Sequence, residues 1–292
     1  METARCRAFL AAAETGSFTK AAEKLGYTPS GVSQLVNALE SELGVPLLAR
    51  NTRGVAPTAD GEMFLPAVRE FLSREDGLYQ LASDIKGLEV GSVAIASYSS
   101  IATHWLPEVI GAFQREHPGI KISLFEDIRQ EVMERLSSRR ADVAFVSFRE
   151  PMEYEWIPLA EDRMLAVLPR SHPLANADGY PLSRIPQEDF IMPALGRDDD
   201  VVDLLDRYSI KPNIKFTTRE DFSAIEMISQ GLGMTVLNEL ITKSWSCSAV
   251  MLPLTPSESI TLGMALPSLA SAPPAVRKFV EYAAKRLTKA RA

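Results

Sequence analysis

Three short runs in the first 44 residues place apolar side chains every three or four positions, which is the spacing of one helix face. Gly16 and Gly44 end the first and third runs, since glycine readily takes the left-handed conformation that terminates helices. Ser17 and Thr28 come directly before the second and third runs, where their hydroxyl groups can cap a helix. The pattern predicts three helices, with the second and third joined by a tight turn as in a helix-turn-helix unit.

The third run, from residue 28 to residue 44, carries two stripes at helical spacing. One stripe is apolar and is typical of a face packed on neighbouring helices. The other is small, polar and uncharged, whereas a solvated helix face usually carries Lys and Glu. Such a stripe offers hydrogen-bond donors and acceptors; the alternative interpretation is a solvated face with no partner. The polar stripe consists of Ser30, Ser33, Gln34 and Asn37, and the apolar stripe of Val32, Leu35, Val36, Leu39 and Leu43.

The next segment predicts a two-stranded wing and then one long helix. Leu47, Leu48 and Val55 flank a polar turn at 51–54, which suits two short strands. In residues 59–89 apolar side chains recur every seven positions, a spacing that favours pairing with a second helix. A lone amphipathic helix packed on its own domain is the alternative. The heptad positions are Phe64, Phe71, Leu78 and Ile85.

From residue 91 the pattern changes to short strand-like runs that alternate with helical runs. Such alternation predicts an α/β domain with largely parallel sheets. Two sets of these units predict two lobes, with a crossing near residues 149–163, where the periodicity is lost. The predicted organisation is an N-terminal winged helix-turn-helix domain (1–58), a long linker helix (59–89) and a two-lobed domain (90–292), with lobe I at about 90–160 and 263–292 and lobe II at about 161–262.

Composition and charge limit the kinds of partner that the chain suits. Its 292 residues carry a formal net charge of -7, and residues 1–58 contain six basic and five acidic side chains. A basic arm is therefore excluded, and contact with DNA must come from a few placed cations. No run approaches the roughly 18 apolar residues of a membrane span, and the N-terminal stretch does not resemble an export signal, so we expect a cytoplasmic protein.

Side chains for catalysis or metal binding do not cluster in the sequence. Cys6 and Cys247 lie far apart, which argues against a disulfide framework and a zinc site alike. His104, His117 and His172 are scattered, and no phosphate-binding loop, nucleophile elbow or dinucleotide fingerprint occurs. We expect no enzyme activity, no cofactor and no metal.

The segment "ETGSFTKAAEKLGYTPSGVSQLVNALESELGVPLLARNTRGVAPTADG" closely resembles the DNA-binding end of LysR-type transcriptional regulators. The runs "LPEVIGAFQREHPGIKISL", "ADVAFV", "LPRSHPLA" and "ISQGLGMTVL" look like the effector-binding domain of that family. The resemblance implies the two-lobed fold of periplasmic binding proteins and a homotetramer built from linker-helix dimers. It also implies a small-molecule effector between the lobes, which controls the access of RNA polymerase to promoters.

In a helix-turn-helix protein the second helix of the motif lies in the major groove, which gives the polar stripe a use. Gln and Asn can pair with adenine, and residues near a helix N-terminus can bind phosphate. Many family members carry a cation where Gln34 stands and a Gln-Pro pair where Pro29 and Ser30 stand, so the operator sequence does not carry over. The expected contacts to double-stranded DNA are Thr28, Pro29, Ser30, Ser33, Gln34, Asn37, Arg50 and Arg53.

Ligands of two-lobed α/β proteins lie beyond the carboxyl ends of strands, where helix N-termini converge. The strand run "SVAIAS" leads to Ser99 and Ser100, which predicts a small organic anion as effector unless each serine only caps its helix. The acidic residues 198–200 either sit at a helix N-terminus or hold a cation, while Arg197 suits an anion. The candidate effector-binding residues are Ser99, Ser100, Ile128, Phe148, Arg197, Thr218 and Phe222.

Two other functions fit parts of the pattern. A solute-binding protein of a transport system shares the two-lobed fold, but it would need an export signal and would lack the helix-turn-helix. A DNA-binding repressor of the same family that acts without a ligand would leave the cleft unused. We expect a regulator that binds pseudo-palindromic promoter sites as a homodimer or homotetramer, associates with the nucleoid when bound, and responds to a ligand.

Overall fold

The computed structural model of the protein describes most of the chain. The described residues are 2–51, 54–86, 90–243 and 248–289. Arg53 and Cys247, both named above, lie outside them. Among the described helices, none combines the length and the apolar character that crossing a membrane requires.

Three helices form at the N-terminus where the sequence predicts them. The Thr28 hydroxyl accepts a hydrogen bond from the Gly31 amide at 3.1 Å and caps the third helix, and Ser17 caps the second in the same way. Gly16 and Gly44 end the first and third helices with φ angles of 65° and 75°. The three helices are α1 (Thr3–Thr15), α2 (Phe18–Leu25) and α3 (Pro29–Leu43).

The apolar stripe of α3 packs against α1 and builds the core of the N-terminal domain. Val32, Val36 and Leu39 are fully buried beside Cys6 and Phe9. Burying one aliphatic side chain of this size stabilises a fold by about 1.5 to 3 kcal/mol, so this stripe fixes the rotation of α3 about its axis. The polar stripe is thereby turned to solvent.

A two-stranded antiparallel wing follows α3, formed by β1 (Leu48–Asn51) and β2 (Gly54–Pro57). The wing is tied to the turn before α2, because the Val55 amide donates to the Gly16 carbonyl oxygen at 2.9 Å. Gly54 lies so close to this oxygen that a Cβ atom built on it would be 2.4 Å away. The contact fixes the wing relative to the helix-turn-helix.

The linker helix α4 (Ala59–Ile85) has different surroundings at its two ends. Its first half packs on the N-terminal core, in which the heptad residues Phe64 and Phe71 are partly buried. In its second half Leu78 and Ile85 are 70% and 80% exposed. The helix therefore packs on its own domain at one end and presents apolar side chains to solvent at the other.

Two lobes form the remainder of the chain. Lobe I contains β3 (Gly91–Ser97), β4 (Ile120–Glu126), β5 (Val143–Ser147) and β12 (Ser259–Leu266), and lobe II contains β7 (Tyr180–Pro181), β8 (Asp189–Met192), β9 (Asn213–Thr217), β10 (Thr235–Asn238) and β11 (Ala249–Thr255). One long strand, β6 (Glu155–Pro169), belongs to both lobes. It pairs with β12 along residues 155–163 and with β10 and β11 along residues 164–169.

Strand directions differ from the expected largely parallel arrangement. β3 is parallel to β4 and β5, and β8 is parallel to β9, whereas β5, β6, β10, β11 and β12 make antiparallel pairs. The reason is that the chain leaves lobe I along β6 and returns along β12. Regular structure also starts within the segment 149–163, because β6 begins at Glu155, and β12 begins at Ser259, before the expected return at residue 263.

Helices cover the sheets of both lobes. The helical run expected from Ile101 to Glu116 is two helices, with the break at Trp105. Pro107 explains the break, because it lacks the amide that would continue the first helix into the second. The helices are α5 (Ser99–His104), α6 (Leu106–Glu116), α7 (Arg129–Ser137), α8 (Asp199–Arg207), α9 (Asp221–Ser229), α10 (Glu239–Thr242) and α11 (Pro274–Lys289), with 3-10 turns at Leu182–Gln187 and Ala194–Gly196.

Candidate DNA-reading face and inter-lobe cavity

The outward face of α3 brings the expected DNA contacts together on one surface. Thr28, Pro29, Ser30, Gln34 and Asn37 are exposed, and Ser33 is partly exposed. The Ser30 hydroxyl lies 3.2 Å from the Thr28 hydroxyl. Gln34 makes no side-chain hydrogen bond within the described part of the chain, so its amide group is available to a partner. We call the surface formed by Ser30, Ser33, Gln34, Asn37 and Arg50 the reading face.

Arg50 joins this surface from the wing. Its Nη2 donates to Ser33 Oγ at 3.0 Å and to Asn37 Oδ1 at 2.8 Å. Its guanidinium group also lies over the Phe18 ring, 4.9 Å from the ring centroid. The sequence predicted Arg50, Ser33 and Asn37 as contacts to DNA, without indicating that they bond to one another. In the structure the two polar side chains hold a cation in the middle of the reading face.

A cavity of about 300 Å³ lies between the two lobes, where the N-termini of several helices meet. Four of the expected effector contacts line it: Ser99, Ser100, Ile128 and Arg197. Ser100 is largely buried, at 6% exposure. Arg197 donates to Gln130 Oε1 at 3.1 Å, so it reaches across to lobe I.

The other three expected contacts lie outside the lining formed by the described residues. Phe148 packs against Trp156, with 5.4 Å between ring centroids, in a separate surface cavity. Thr218 donates its hydroxyl to the Glu220 carbonyl oxygen at 3.2 Å. Phe222 packs against the core of lobe II. Phe148 and Thr218 directly follow strand ends, as the sequence indicated, and Phe222 lies in the first turn of α9.

Hydrogen bonds and ion pairs hold the two lobes together beside the cavity. Ser147 donates to Asp200 Oδ1 at 2.7 Å, and Arg149 pairs with Asp199 at 2.6 Å. Arg149 also pairs with Asp203 at 2.7 Å. The N-terminal turn of α8 in lobe II is thus fastened to the end of β5 in lobe I. We call these contacts the inter-lobe clasp.

Arg129 lies at the centre of a buried polar network in lobe I. Its Nη1 donates to the Tyr98 hydroxyl at 3.2 Å, to Ser147 Oγ at 3.0 Å and to the Ser147 carbonyl oxygen at 2.8 Å. Its Nε lies 3.7 Å from Asp199. Burial raises the pKa of Tyr98 far above its usual range, so this hydroxyl stays protonated and can act as a donor.

Asp198 and Asp221 are two carboxyl groups of the cavity whose pKa values are raised above the usual range of an aspartate. Burial, followed by repulsion from Asp200, raises the pKa of Asp198 to about 7. Burial, followed by repulsion from Glu220, raises the pKa of Asp221 to about 6. Asp198 also caps α8, because its Oδ1 accepts from the amides of Asp200 and Val201. The helix-terminus interpretation of this acidic run holds for all three residues, since Asp198 caps α8 and Asp199 and Asp200 lie in its first turn. From that turn Asp199 and Asp200 also contact lobe I.

Several cavity residues were not expected from the sequence. Tyr98, Asp127, Arg129, Arg219 and Asn238 all line the cavity. Each lies at or just beyond the carboxyl end of a strand, or at the start of the following helix. That position at a strand end or helix start was the available signal, and it was not applied to these five residues. Among the described residues, no group of three His, Cys, Asp or Glu is placed to hold a metal ion.

The linker helix contacts lobe I through polar side chains. Arg69 is buried in α4 and donates to the Ser138 carbonyl oxygen at 3.0 Å, and Arg139 pairs with Glu70 at 3.0 Å. Ser138 directly follows α7, whose N-terminal end lines the cavity. Farther along α4, Arg74 donates to the Ser271 carbonyl oxygen at 2.5 Å. One helix of lobe I therefore touches the cavity at one end and the linker helix at the other.

Two family descriptions cover nearly the whole chain. "Bacterial regulatory helix-turn-helix protein, lysR family" matches residues 4–62, and "LysR substrate binding domain" matches residues 86–288. An uncharacterized HTH-type transcriptional regulator of Bacillus subtilis (strain 168), YvbU, is 33% identical over 292 residues, which cover 97% of this chain and 98% of that protein.

Solved structures share the fold. A full-length OxyR variant from Pseudomonas aeruginosa has a TM-score of 0.80 at 20% sequence identity and covers 98% of this chain and 94% of its own. Full-length CbnR complexed with its target DNA has a TM-score of 0.66 at 22% identity and covers 98% of this chain and 100% of its own. The α/β fold class, with its winged helix-turn-helix and two-lobed domain, is confirmed. The chain belongs to the LysR family of DNA-binding transcriptional regulators with an effector-binding domain.

Proposed function

We propose that this regulator binds pseudo-palindromic promoter DNA as a homodimer or homotetramer and alters the access of RNA polymerase when a small molecule occupies the inter-lobe cavity. The observation that carries the proposal is the reading face, on which Ser33 and Asn37 hold Arg50. Uncharged donors and acceptors around one cation suit base edges flanked by phosphates. A promoter target assigns the protein to the bacterial cytoplasm, at the nucleoid.

Within the reading face, base recognition and phosphate binding fall to different residues. Gln34 is exposed and forms no side-chain hydrogen bond with the residues that the structure describes, so its amide can pair with an adenine edge in the major groove. Thr28 and Ser30 stand at the N-terminus of α3, where free amides favour a phosphate. Arg50 supplies the positive charge that many family members place at position 34. Arg53, by its position in the sequence, is proposed as a second cation of the wing.

Dimerisation compensates for the small charge of a single DNA-binding domain. With six basic and five acidic residues in positions 1–58, one copy attracts phosphates weakly. Two linked copies bind adjacent half-sites with a raised effective concentration. Leu78 and Ile85 on α4 are the proposed contacts between copies, because both are highly exposed and stand seven residues apart. Phe64 and Phe71 of the expected seam have a different role, since they are partly buried in the domain's own core.

A ligand in the cavity acts on the linker helix through α7. Ile128 and Arg129, at the start of α7, line the cavity, and Ser138, just after its end, accepts a hydrogen bond from Arg69. A rigid helix bonded at both ends transmits a shift of one end to the other. The ligand changes DNA binding only as far as its affinity differs between the two arrangements of the lobes.

The direct test is selection of bound sequences from a pool of random duplexes with the purified full-length protein. We expect enrichment of two inverted half-sites, and loss of that enrichment in the double variant Gln34→Ala/Arg50→Ala. A variant in lobe II, Gln230→Ala, serves as a matched control and should select the same sequence as the wild type. A selected pool no different from the starting pool would show that the reading face does not read sequence.

The same selected DNA distinguishes the ligand-responsive regulator from a repressor that acts without a ligand. In the first case, compounds that raise the unfolding temperature through the cavity also change DNA affinity. In the second case, DNA affinity stays constant whatever occupies the cavity.

A further inference from the structure

We propose that the ligand of the inter-lobe cavity is a small organic cation with at least one ammonium group, bound by Asp198, Asp200 and Asp221. The inference rests on the proposed effector-binding role of the cavity and names the chemical class of the effector. It replaces the small organic anion expected from Ser99 and Ser100.

The first observation is the charge of the cavity wall. Among the described residues that line it, three are arginines and seven are acidic. Arg129 is already engaged by Tyr98, Ser147 and Asp199, and Arg219 is engaged by Glu131 at 2.5 Å. Among the described residues, Arg197 has a neutral partner, Gln130, and forms no ion pair with an acidic side chain. The wall therefore has little positive charge left for an anion.

The second observation is that the inter-lobe clasp pairs some of the acidic side chains with an arginine and leaves others without a basic partner among the described residues. Asp199 and Asp203 share ion pairs with Arg149 of lobe I. Within the described chain, the hydrogen bonds that Asp198 accepts come from backbone amides, and the one that Asp200 accepts comes from the Ser147 hydroxyl. Neither carboxylate forms an ion pair with a basic side chain of the described chain.

Of the three carboxyl groups, Asp221 gives the strongest support for a cationic ligand. It is largely buried at the start of α9, it lines the cavity, and it makes no hydrogen bond or ion pair with any side chain that the structure describes. A buried carboxylate without a partner is costly, and like charges close by add to that cost. Burial and neighbouring acids raise the pKa values of Asp198, Asp200 and Asp221 together. A cation between them would remove this cost.

The features expected to attract an anion are weak in the structure. The helix that begins at Ser99 has only six residues, so its dipole at the cavity is small. Ser99 and Ser100 can instead donate hydrogen bonds to a neutral part of the ligand or accept them from it. A metal ion fits less well than an ammonium group, because the described residues hold no metal-type cluster and a cavity of about 300 Å³ admits an organic molecule.

Acids of lobe I complete the site. Glu126 and Asp127 line the same cavity from the end of β4, opposite the α8 and α9 termini of lobe II. Asp127 is paired with Arg135 at 2.6 Å, whereas Glu126 forms no ion pair within the described residues. A ligand with two ammonium groups can therefore contact both lobes and stabilise their closed arrangement.

The experiment compares two probes of equal chain length and opposite charge on the full-length protein. Putrescine carries two ammonium groups on a four-carbon chain, and succinate carries two carboxylates on a chain of the same length. Thermal unfolding and calorimetric titration at pH 7.5 and constant ionic strength are followed with millimolar probe. We expect putrescine to raise the unfolding temperature and succinate to leave it unchanged or lower it. A rise with succinate, or no rise with putrescine, overturns the proposal.

The double variant Asp198→Asn/Asp221→Asn tests which groups bind the probe. Asparagine keeps the cap of α8 and the side-chain volumes while it removes both charges. We expect the apparent affinity for putrescine to fall about tenfold or more, as for the loss of charged hydrogen-bond acceptors. Asp206→Asn, an exposed acid on the same helix α8, is the matched control and should bind putrescine like the wild type.

A readout without any ligand tests the same carboxyl groups independently of the probe. If the carboxylates repel one another in the empty cavity, the double variant unfolds at a higher temperature than the wild type at pH 7.5. If they are instead structural acids, the double variant unfolds at the same or a lower temperature, and the proposal fails. DNA selection by the double variant without probe is expected to match the wild type, so failure here is distinguishable from failure of DNA binding.

Discussion

Arg50 of the wing donates a 2.8 Å hydrogen bond to Asn37 of the recognition helix, so two elements that are separate in sequence form one reading face. The guanidinium group is further restrained by Ser33 and by the Phe18 ring. An arginine held in this way loses less freedom on binding than a free one. The wing and α3 therefore act as a unit on DNA.

The first prediction concerns the energetic coupling of Arg50 and Asn37. Asn37→Ala releases the guanidinium group and should weaken binding of the selected DNA partly through Arg50. The loss in the double variant Asn37→Ala/Arg50→Ala should be smaller than the sum of the single losses, by about 0.5 to 3 kcal/mol. Fluorescence anisotropy titrations at fixed salt measure the four dissociation constants. The control is the pair Asn37→Ala and Lys20→Ala, whose residues are not in contact, so that their losses of binding free energy should add. If the losses of Asn37→Ala and Arg50→Ala add in the same way, the coupling is refuted.

The second prediction concerns the exposed half of the linker helix. Leu78→Glu combined with Ile85→Glu introduces charges where apolar side chains are proposed to meet a second copy. We expect the oligomer to dissociate to monomers in sedimentation velocity, and DNA affinity to fall by a factor of about 10² to 10⁴ as the linked second site is lost.

The matched control for the linker helix is Ser83→Glu, on a different face of the same helix. It should remain an oligomer. Because Leu78 and Ile85 are exposed within one chain, the double variant should keep the helical content of the wild type by circular dichroism. An unchanged sedimentation coefficient in the double variant would place the interface elsewhere.

The third prediction concerns Arg69 as the connection between α4 and α7. Binding of the selected DNA should alter the hydrogen exchange of amides in Arg129–Ser137, because coupling between two sites is reciprocal. Arg69→Met keeps most of the apolar stem and removes the bond to Ser138, so the DNA-dependent change should shrink. Arg74→Met removes a different contact between α4 and lobe I and is the control. If DNA changes the hydrogen exchange of α7 equally in the wild type, Arg69→Met and Arg74→Met, coupling through Arg69 is excluded.

The fourth prediction concerns pH. Asp198 and Asp221 have folded pKa values of about 7 and about 6, above the value near 4 of an unfolded aspartate. The folded state therefore binds more protons, and their contribution to stability is fully present below pH 4 and is lost as the pH rises through 6 and 7. Each unit of pKa difference corresponds to about 1.4 kcal/mol of unfolding free energy.

Urea unfolding between pH 4.5 and 8 measures this dependence. We expect the wild-type free energy of unfolding to fall over this range relative to Asp198→Asn/Asp221→Asn, which lacks both groups. Asp206→Asn should follow the wild type. Parallel curves for the wild type and the double variant would mean that neither carboxyl group has a raised pKa.

The N-terminal domain could be predicted closely from sequence because its signals are local. Ser17 and Thr28 cap the helices they precede, and Gly16 and Gly44 end helices with positive φ. The position of Arg50 could not be predicted in the same way. Its bonds to Ser33 and Asn37 span 17 and 13 residues, and they depend on how the wing folds back.

The two-lobed domain was harder to predict at its junction. Residues 155–163 of β6 show no regular alternation, because the register shifts between Leu262 and Gly263 of the partner strand. Of the residues expected at the cleft, Ser99, Ser100, Ile128 and Arg197 line the cavity, and their role as effector contacts stays a prediction. The clasp could not be predicted, since Ser147 and Asp200 are 53 residues apart and meet only when the lobes pack. The charge of the cavity wall could not be predicted either, because it depends on the same packing of the two lobes.

The measurement that tests the central claim most directly is a titration of wild-type and Gln34→Ala protein against the selected operator and each of its single-base variants, at fixed salt. We predict that Gln34→Ala loses about 1 to 3 kcal/mol of discrimination at one base pair in each half-site and keeps the discrimination elsewhere. A uniform loss of affinity over all variants, or no loss, would contradict the account that the outward face of α3 reads DNA sequence.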